Sequence, residues 1–190
     1  YEVLIRRVSF EDLASSMLFE QDEFRDNEMY AVWMLDETEL KTLKQKLWDD
    51  TLVVALIYVD NYEEAFASIE EVRKSMLSAL VERKITKYVA LYNGLLRKTE
   101  KDKYFAIIPQ KYFEKMKEER FTLLDDVKTV NLGNEIAVTL SIGLGLGSNY
   151  RQNFDYAQAA IDMALGRGGD QAVVKQGEKE EFFGGKRVQI

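Results

Sequence analysis

The chain has 190 residues and a formal net charge of −7, and it contains no histidine and no cysteine. These absences exclude Ser-His-Asp and Cys-His nucleophiles, zinc sites of the usual kind and disulfides. An acidic chain without a basic stripe is not expected to bind nucleic acid. Any chemistry must therefore use carboxylates, lysines, hydroxyls or a divalent cation held by oxygen ligands.

The first fifty residues are predicted to hold too few elements for a domain of their own. Tyr1–Val8 and Met29–Leu35 have the composition of strands, and Phe10–Phe19 is predicted as a turn of helix or a loop. Two strands rarely form a stable sheet alone. No apolar run reaches the roughly 18 residues of a membrane-spanning helix, and the N-terminus lacks a signal-peptide pattern, so a cytoplasmic chain without membrane contact is predicted.

Residues 36–50 are predicted to form a connecting helix, which Asp36 or Thr38 would cap by accepting hydrogen bonds from its first N–H groups. Three leucines recur at helical spacing in this segment and form a narrow apolar seam. Either the helix packs on its own domain, or the seam pairs with a second copy of the chain in a dimer. The seam consists of Leu40, Leu43 and Leu47.

A well-formed domain is predicted to begin at Thr51. Leu52–Val59 is an unbroken apolar run rich in β-branched residues, which is typical of a central strand covered on both faces. Asp60 and Asn61 then suit a strand-to-helix turn. The apolar positions of residues 63–92 recur every three or four residues and predict one long helix, or two helices with a break.

A β-hairpin is predicted over Gly94–Pro109. Its strands are Leu95–Thr99 and Tyr104–Ile108, and its tip, Lys101–Tyr104, carries charges of mixed sign and no glycine. A phosphate cradle needs backbone N–H groups brought close by small residues. The tip is therefore a poor phosphate site.

The remaining residues are predicted to add two helices and two strands. In chain order these are a helix over residues 110–127, a strand Ile136–Leu144, a helix Phe154–Leu165 and a strand Ala172–Lys175. The alternation of strands with helices predicts an α+β domain with one sheet and helices packed against it.

Two glycine-rich segments are interpreted as structural. Gly143, Gly145 and Gly147 lack the spacing of a dinucleotide fingerprint, and no helix opens directly after them. The GRGGD segment, residues 166–170, is typical of a helix C-cap that leads into a strand. Arg167 within it is a candidate contact for an anion or a protein partner.

Asp60 and Asp102 are the candidate cation ligands. The first ends the central strand and the second lies in the hairpin tip, so the two meet if those strands are neighbours. A divalent cation in phosphoryl chemistry needs at least two such ligands and substrate oxygens besides. The alternative interpretation is a pair of ordinary solvated acids.

The chain contains four informative segments: ALIYVDNYEEA, LRKTEKDKYFAIIP, TLSIGLGLG and AIDMALGRGGDQAVVKQ. Together they resemble a GGDEF-type domain, the fold of bacterial diguanylate cyclases. With residues 183–186 added, the chain more narrowly resembles the degenerate version in GdpP-type (YybT family) cyclic-di-AMP phosphodiesterases, over about residues 36–187. The resemblance implies an α+β, nucleotidyl-cyclase-like fold, a ferredoxin-like plait with a central, mainly antiparallel sheet.

The resemblance assigns the five-residue cyclase signature to the hairpin tip. Only the final phenylalanine matches, because a lysine replaces the acid that holds metal and a tyrosine replaces the glutamate after it. The family's other metal carboxylate, from the first strand, falls on Tyr58, and the inhibitory Arg-x-x-Asp motif, which would fall on residues 92–95, is absent. The resemblance therefore implies no diguanylate cyclase activity. The signature positions are Lys101, Asp102, Lys103, Tyr104 and Phe105.

The resemblance also implies a domain order. Residues 1–35 correspond to a partial PAS-like segment, 36–50 to the connecting helix, 51–177 to a degenerate GGDEF domain and 178–190 to a linker toward a DHH/DHHA1 domain. The implied partners are the PAS and DHH/DHHA1 domains of the same polypeptide. That parent protein would be anchored in the bacterial cell membrane, with this part in the cytoplasm.

The implied function is regulatory, a relay of sensor state to a DHH/DHHA1 hydrolase outside this chain. The alternatives are a weak ATP hydrolase, which needs magnesium with ATP, and a dimerisation module. Asp60, Asn61, Asp102 and Arg167 are the candidate nucleotide or metal contacts under these readings.

Overall fold

The structure is a computed structural model that describes residues 1–8, 29–67 and 69–184. It divides into two compact units, Tyr1–Leu47 and Trp48–Ile190. None of the helices in the described ranges has both the length and the apolar composition that a bilayer crossing requires.

The first unit contains an antiparallel hairpin. Strand β1, Glu2–Val8, pairs with β2, Met29–Leu35, and Leu4 lies opposite Trp33 in the register. Both strands were predicted from composition and are confirmed. The predicted turn of helix or loop at Phe10–Phe19 lies outside the described residues.

Helix α1, Thr38–Asp50, confirms that this segment is helical and confirms one of its predicted caps. The Thr38 backbone N–H donates to Asp36 Oδ1 at 2.9 Å. Hydrogen bonding from Thr38 lowers the pKa of Asp36, because it favours the charged carboxylate. No residue of this helix is buried. The leucine seam is correspondingly exposed, at 47, 51 and 72% for Leu40, Leu43 and Leu47.

The described part of the second unit alternates strands with helices, as predicted. Its elements in chain order are β3 Leu52–Val59, α2 Tyr62–Ala67, α3 Glu71–Leu91, β4 Leu95–Lys98, β5 Lys103–Pro109, a 3₁₀ turn Gln110–Tyr112, α4 Phe113–Glu118, α5 Leu123–Lys128, β6 Leu140–Leu146, α6 Tyr150–Gly166, β7 Gln171–Gln176 and β8 Lys179–Gly184.

The six strands of this unit form one sheet in the order β4-β5-β3-β6-β7-β8. Neighbouring strands are antiparallel except β6 and β7, which are parallel and are joined through α6. The predicted α+β fold with a mainly antiparallel sheet is confirmed.

Strand β3 takes the central position because it is apolar on both faces. Val53 and Ile57 belong to the main core, on the face covered by α3, α4 and α5. Val54 and Leu56 point to the opposite face and pack against Ile161 of α6. The predicted bounds of this strand are confirmed.

Two glycines of β6 let α6 approach the sheet closely. A Cβ atom on Gly143 would collide with the helix backbone at Ile161, and one on Gly145 would collide with it at Asn153. These glycines serve packing within β6, and the prediction that they mark a bend at the end of the strand is wrong for Gly143 and Gly145.

Two predicted helices are broken. Residues 63–92 form α2 and α3, which is the second of the predicted alternatives. The single helix predicted over residues 110–127 is wrong, since a 3₁₀ turn, α4 and α5 replace it. Arg120 and Phe121 each have a φ of 54°, which ends the helical run. The reversal buries Phe121 completely, at 0% exposure.

Two element boundaries differ from the prediction. Strand β6 begins at Leu140 instead of residue 136, because the Ala137 carbonyl and the Thr139 N–H hydrogen-bond to the side chain of Asn61. Helix α6 begins at Tyr150 instead of residue 154. Asn149 caps it, as its side chain accepts from the Gln152 N–H at 2.9 Å.

The structure corrects the linker predicted over residues 178–190, because the described part of that segment forms β8 and pairs with β7. The Phe183 ring packs 5.0 Å from the Phe121 ring. Glu181 forms an ion pair of 3.0 Å with Lys117 of α4. Residues 179–184 are therefore part of the sheet.

Candidate functional site

The hairpin tip lies at the end of the central strand. The Thr99 N–H donates to the Lys103 carbonyl at 2.9 Å, which closes the hairpin. The Val59 N–H donates to the Asp102 carbonyl at 2.8 Å. Tyr58 and Lys103 lie directly opposite each other in the β3–β5 register. Backbone hydrogen bonds to a buried strand thus hold the tip in place.

Lys103 occupies the signature position at which the resemblance expects a metal-binding acid. Its ammonium lies 5.4 Å from the centre of the Tyr58 ring and 2.9 Å from the Glu100 carboxylate. A hydrogen bond to Glu100 raises the pKa of Lys103, and burial raises the pKa of Tyr58. At neutral pH a cation therefore faces a neutral phenol at this pair of positions.

Lys101 connects the tip to helix α2. Its ammonium forms an ion pair with Glu63 and lies 5.3 Å from the centre of the Tyr62 ring. The hydrogen bond between Lys101 and Glu63 raises the pKa of the lysine and lowers the pKa of the glutamate. Both side chains are exposed, so solvent screens their attraction and the pair contributes little to the free energy of unfolding. Its effect is to neutralise the charge of the tip.

Tyr104 and Phe105, the last two signature positions, are packing residues on opposite faces of β5. Tyr104 is 2% exposed within the main core, and the Lys98 ammonium lies 5.4 Å from its ring centre. The Phe105 ring lies 6.4 Å from the ring of Phe154 in α6. The packing of Tyr104 and Phe105 holds β5, the strand that follows the tip, in position.

Asp60 bonds to the GRGGD segment. Its Oδ2 accepts from the Asp170 N–H at 2.8 Å, and Gly169 lies so close that a Cβ there would meet the carboxylate. Burial raises the pKa of Asp60, because the charged form loses hydration. Among the described residues, Asp60 Oδ1 and the nearby Ser141 hydroxyl are buried without a hydrogen bond of ordinary geometry. Asp60 therefore connects the end of β3 to the start of β7.

Asn61, Arg167 and Asp102 also make contacts within the domain. The amide nitrogen of Asn61 donates to the Ala137 carbonyl at 2.8 Å, and its amide oxygen accepts from the Thr139 N–H at 3.1 Å. Arg167 donates to Gln171 Oε1 at 3.3 Å, and its guanidinium lies 4.5 Å from the centre of the Phe182 ring. Asp102 contributes its backbone carbonyl to the end of β3.

The structure thus brings the predicted residues together in two places. Tyr58 and the tip residues meet at the end of β3, whereas Asp60 and Arg167 contact residues at the start of β7. Across the described ranges, no group of three or more acidic side chains is arranged to hold a metal ion. The cation site at Asp60 and Asp102 stays a prediction.

Sequence reasoning missed the two acids that pair with the tip lysines. Glu100 lies three residues before Lys103, a spacing that is visible in the sequence. Glu63 is 38 residues away from Lys101. Only the sheet order, which places α2 beside the hairpin tip, reveals that second pair.

A groove of about 500 Å³ opens beside the tip, between α2 and α3. Its lining includes the acids Glu63 and Glu71 and the cation Lys74, which pairs with Glu71 at 3.0 Å. Ser75 and Ser78 add two hydroxyls. The volume lies in the range of small-molecule sites.

Comparison with known proteins resolves the family. The family model described as the GGDEF domain of cyclic-di-AMP phosphodiesterase GdpP-like proteins matches residues 57–182, from the central strand to β8. The chain belongs to the GdpP-like GGDEF domain family. The matched residues include the hairpin tip.

Whole-protein relatives are similar over most of the chain. Cyclic-di-AMP phosphodiesterase GdpP of Geobacillus thermodenitrificans is 33% identical over 157 residues, which are 82% of this chain and 24% of the relative. Cyclic-di-AMP phosphodiesterase PdeA of Listeria monocytogenes is 35% identical with the same coverage. A membrane protein–large ribosomal subunit bL9 fusion protein of Onion yellows phytoplasma is 28% identical, over 86% of this chain and 19% of the relative. This GGDEF domain chain thus spans about a quarter of the length of the phosphodiesterases it matches.

Solved structures show the same fold at low identity. Diguanylate cyclase SiaD of Pseudomonas aeruginosa, in complex with its activator SiaC, matches with a TM-score of 0.56 and 20% identity, over 72% of this chain and 55% of that one. The GGDEF domain of DgcB from Caulobacter crescentus matches with a TM-score of 0.54 and 16% identity, over 73 and 86%. These likenesses support the GGDEF fold alone.

Proposed function

We propose that this GGDEF domain is catalytically degenerate and regulatory, and that it relays the state of a preceding sensor to a DHH/DHHA1 phosphodiesterase domain of the same polypeptide. The observation that carries the proposal is the pairing at the tip, Lys101 with Glu63 and Lys103 with Glu100. An ammonium group cannot be a ligand for the cations that a cyclase must hold beside a triphosphate, and these pairs also engage the neighbouring carboxylates.

Tyr58 supports the same conclusion from the opposite strand. Burial raises the pKa of its phenol, so the group stays neutral at physiological pH. Magnesium prefers anionic oxygen ligands. Because Tyr58 lies directly opposite Lys103, neither side of this cross-strand pair offers a carboxylate.

Restoring two acids at this pair is expected to create a magnesium site. Tyr58→Asp combined with Lys103→Glu places two carboxylates opposite each other at the end of β3. At a Mg²⁺ concentration of about ten times Kd, the melting temperature of this variant should rise by about 3 °C. The melting temperature of the parent chain should not change. Calorimetric melts with and without Mg²⁺ measure both.

The matched control is Tyr58→Asn with Lys103→Gln, which has similar side-chain volumes but no charge and should not respond to Mg²⁺. Equal stabilisation of the parent chain by Mg²⁺ would contradict the proposed degeneracy. Magnesium-dependent ATP turnover by the parent, lost in Asp60→Ala with Asp102→Ala, would instead favour the weak hydrolase.

The relatives support phosphodiesterase chemistry elsewhere in the polypeptide. Both relatives above 30% identity are cyclic-di-AMP phosphodiesterases, and this chain matches about a quarter of each. Hydrolysis of the cyclic dinucleotide is therefore assigned to the part outside the domain. The phytoplasma membrane protein supports a membrane-anchored parent.

The proposed signal route runs from α1 to the tip. Helix α1 ends at Asp50, β3 begins at Leu52, and the last residue of β3 holds the Asp102 carbonyl at 2.8 Å. A buried central strand is stiff, so a rotation imposed on the helix can reach the hairpin. The exposed leucine seam of α1 supports a dimer in which two copies of this helix rotate together.

Changing the phase of α1 is expected to alter phosphodiesterase control in the full-length protein. Two residues inserted within Thr38–Asp50 rotate the downstream domain by about 200°. Seven inserted residues nearly preserve the phase, because they add about two turns. The two-residue insertion should abolish the response of cyclic-di-AMP hydrolysis to the input, while the seven-residue insertion should retain it.

The measurement is the hydrolysis rate with and without the activating input, for the parent and both insertions. Identical regulation in all three proteins would contradict a relay through this helix. The basal rate of the seven-residue insertion serves as the control for folding.

A further inference from the structure

A second groove, of about 400 Å³, lies at the end of the sheet opposite the hairpin tip. It opens where β3 begins and where β6 and β7 end, next to the first turns of α6 and the last turn of α1. We call it the amide groove, after its three glutamines. The lining residues used below are Trp48, Gln110, Ser148, Gln152, Tyr156 and Gln176.

The described residues that line the amide groove carry no formal charge, although 31% of the chain is charged. The lining combines amides and hydroxyls with two aromatic rings. An ionised ligand would lose its hydration here without a counter-charge, which is unfavourable. The cation near Tyr156, Lys175, already pairs with Glu180 at 2.8 Å. The groove therefore suits an uncharged polar ligand.

Gln110 supplies the main argument for a ligand. The residue is only 7% exposed, and its backbone N–H donates to the Thr51 carbonyl at 2.7 Å. Its side-chain amide lines the groove. An amide can both donate and accept, so a ligand edge with an adjacent donor and acceptor would pair with it.

Gln152 presents a defined hydrogen-bonding group to the same groove. Its Oε1 accepts from the Ser148 N–H at 2.7 Å and from the Ser148 hydroxyl at 3.0 Å. A Cβ on Gly147 would collide with this side chain, so the glycine lets Gln152 take this position. With its oxygen engaged, Gln152 offers its NH₂ group as a donor.

Two rings complete the site. Trp48, in the last turn of α1, is 53% exposed, and Tyr156 lines the groove from α6. Aromatic faces stack on planar heterocycles. A glutamine amide matches the adjacent donor and acceptor of an adenine edge in a bidentate pair.

We propose that the amide groove binds an uncharged purine nucleoside or a heterocycle of that type, with Gln110 pairing to its edge and Trp48 stacking on its face. This site is separate from the signature tip, and the inference does not depend on the regulatory role proposed above. A ligand here would contact both the end of α1 and the sheet. It would therefore bind where the proposed signal enters the domain.

The test uses adenosine as the probe and the whole chain with Trp33→Phe, which leaves Trp48 as the single tryptophan. Adenosine should change the Trp48 fluorescence in a saturable manner and release or absorb heat in calorimetry. Gln110→Leu should weaken binding about tenfold. Gln176→Ala, at an exposed edge of the groove, should weaken it less and keeps the test valid if the Gln110 variant does not fold.

Gln158→Leu, on a part of α6 that does not line the groove, is the matched control and should bind adenosine like the parent. AMP should bind no more tightly than adenosine, because no cation lines the groove. The proposal would be overturned by an absence of adenosine binding up to millimolar concentration. It would also be overturned by tighter binding of AMP, or by equal affinities in the Gln110, Gln176 and Gln158 variants.

Discussion

Gly145→Val is expected to lower the free energy of unfolding by about 3 kcal/mol or more. The added side chain would collide with the backbone of α6 at Asn153 and Ala157. Backbone atoms of a helix cannot rotate away as a side chain can, so the helix itself must shift from the sheet. That shift would also separate Ile161 from the residues of β3 that it covers. Urea unfolding followed by circular dichroism measures the change.

Gly166→Ala, at the end of α6, provides the control. No atom lies within 4 Å of the position that its Cβ would take, so the methyl group meets no obstacle. Removing a glycine there should stabilise the domain by about 0.4–1 kcal/mol, because the unfolded chain loses freedom. Equal stability of Gly145→Val and the parent would show that α6 does not approach β6 as described.

The second large effect is expected at Asp60, where the alanine variant should lower the free energy of unfolding and the asparagine variant should raise it. Asp60→Ala removes the acceptor of the Asp170 N–H, a bond of 2.8 Å, and should cost about 2 kcal/mol. Asp60→Asn keeps an oxygen for that N–H. Its NH₂ group can also donate to the Ser141 hydroxyl, which is buried without an ordinary partner among the described residues.

The pH dependence separates these two variants further. Burial raises the pKa of Asp60, so the folded state binds its proton more tightly than the unfolded state does. The carboxyl therefore favours folding most below the unfolded pKa of about 3.9, and this contribution is lost as the pH rises through the higher pKa of the folded state. Asp60→Asn should equal the parent near pH 3 and exceed it in stability at pH 7.

Urea midpoints at the two pH values test this expectation, and Asp60→Ala should be less stable than the parent at both. A loss of stability in Asp60→Asn at pH 7, as large as in Asp60→Ala, would contradict it. That outcome would mean that the negative charge of Asp60 is itself required, as it would be for a bound cation.

The sequence predicted the sheet better than the helices. Leu52–Val59 was recognisable because a strand covered on both faces needs apolar residues at every position. The break after α4 could not be recognised in the sequence, because positive φ values usually indicate glycine and here they occur at Arg120 and Phe121. Strand β8 was not predicted, because its KEEFF sequence is mostly exposed and lacks the apolar run of a buried strand.

The candidate site, like the fold, could be predicted from the sequence only in part. The signature positions assigned from the resemblance stay a prediction, and the structure places Lys103 opposite Tyr58. The ion pair between Lys101 and Glu63 joins residues 38 positions apart, so only the sheet order brings them together. The amide groove had no sequence signal, because its glutamines come from separate elements and none forms a motif.

Strand β8 also determines how this domain can be exchanged between proteins. A fusion junction after residue 177 would remove β8, one of the two partners of β7, and would make the largely buried strand β7 an open edge, which is a template for aggregation. It would also take the Phe183 ring away from Phe121. A junction after Gly184 keeps the sheet intact. The unit that recombination can transfer as a folded module therefore extends past the glycine-rich segment and includes β8.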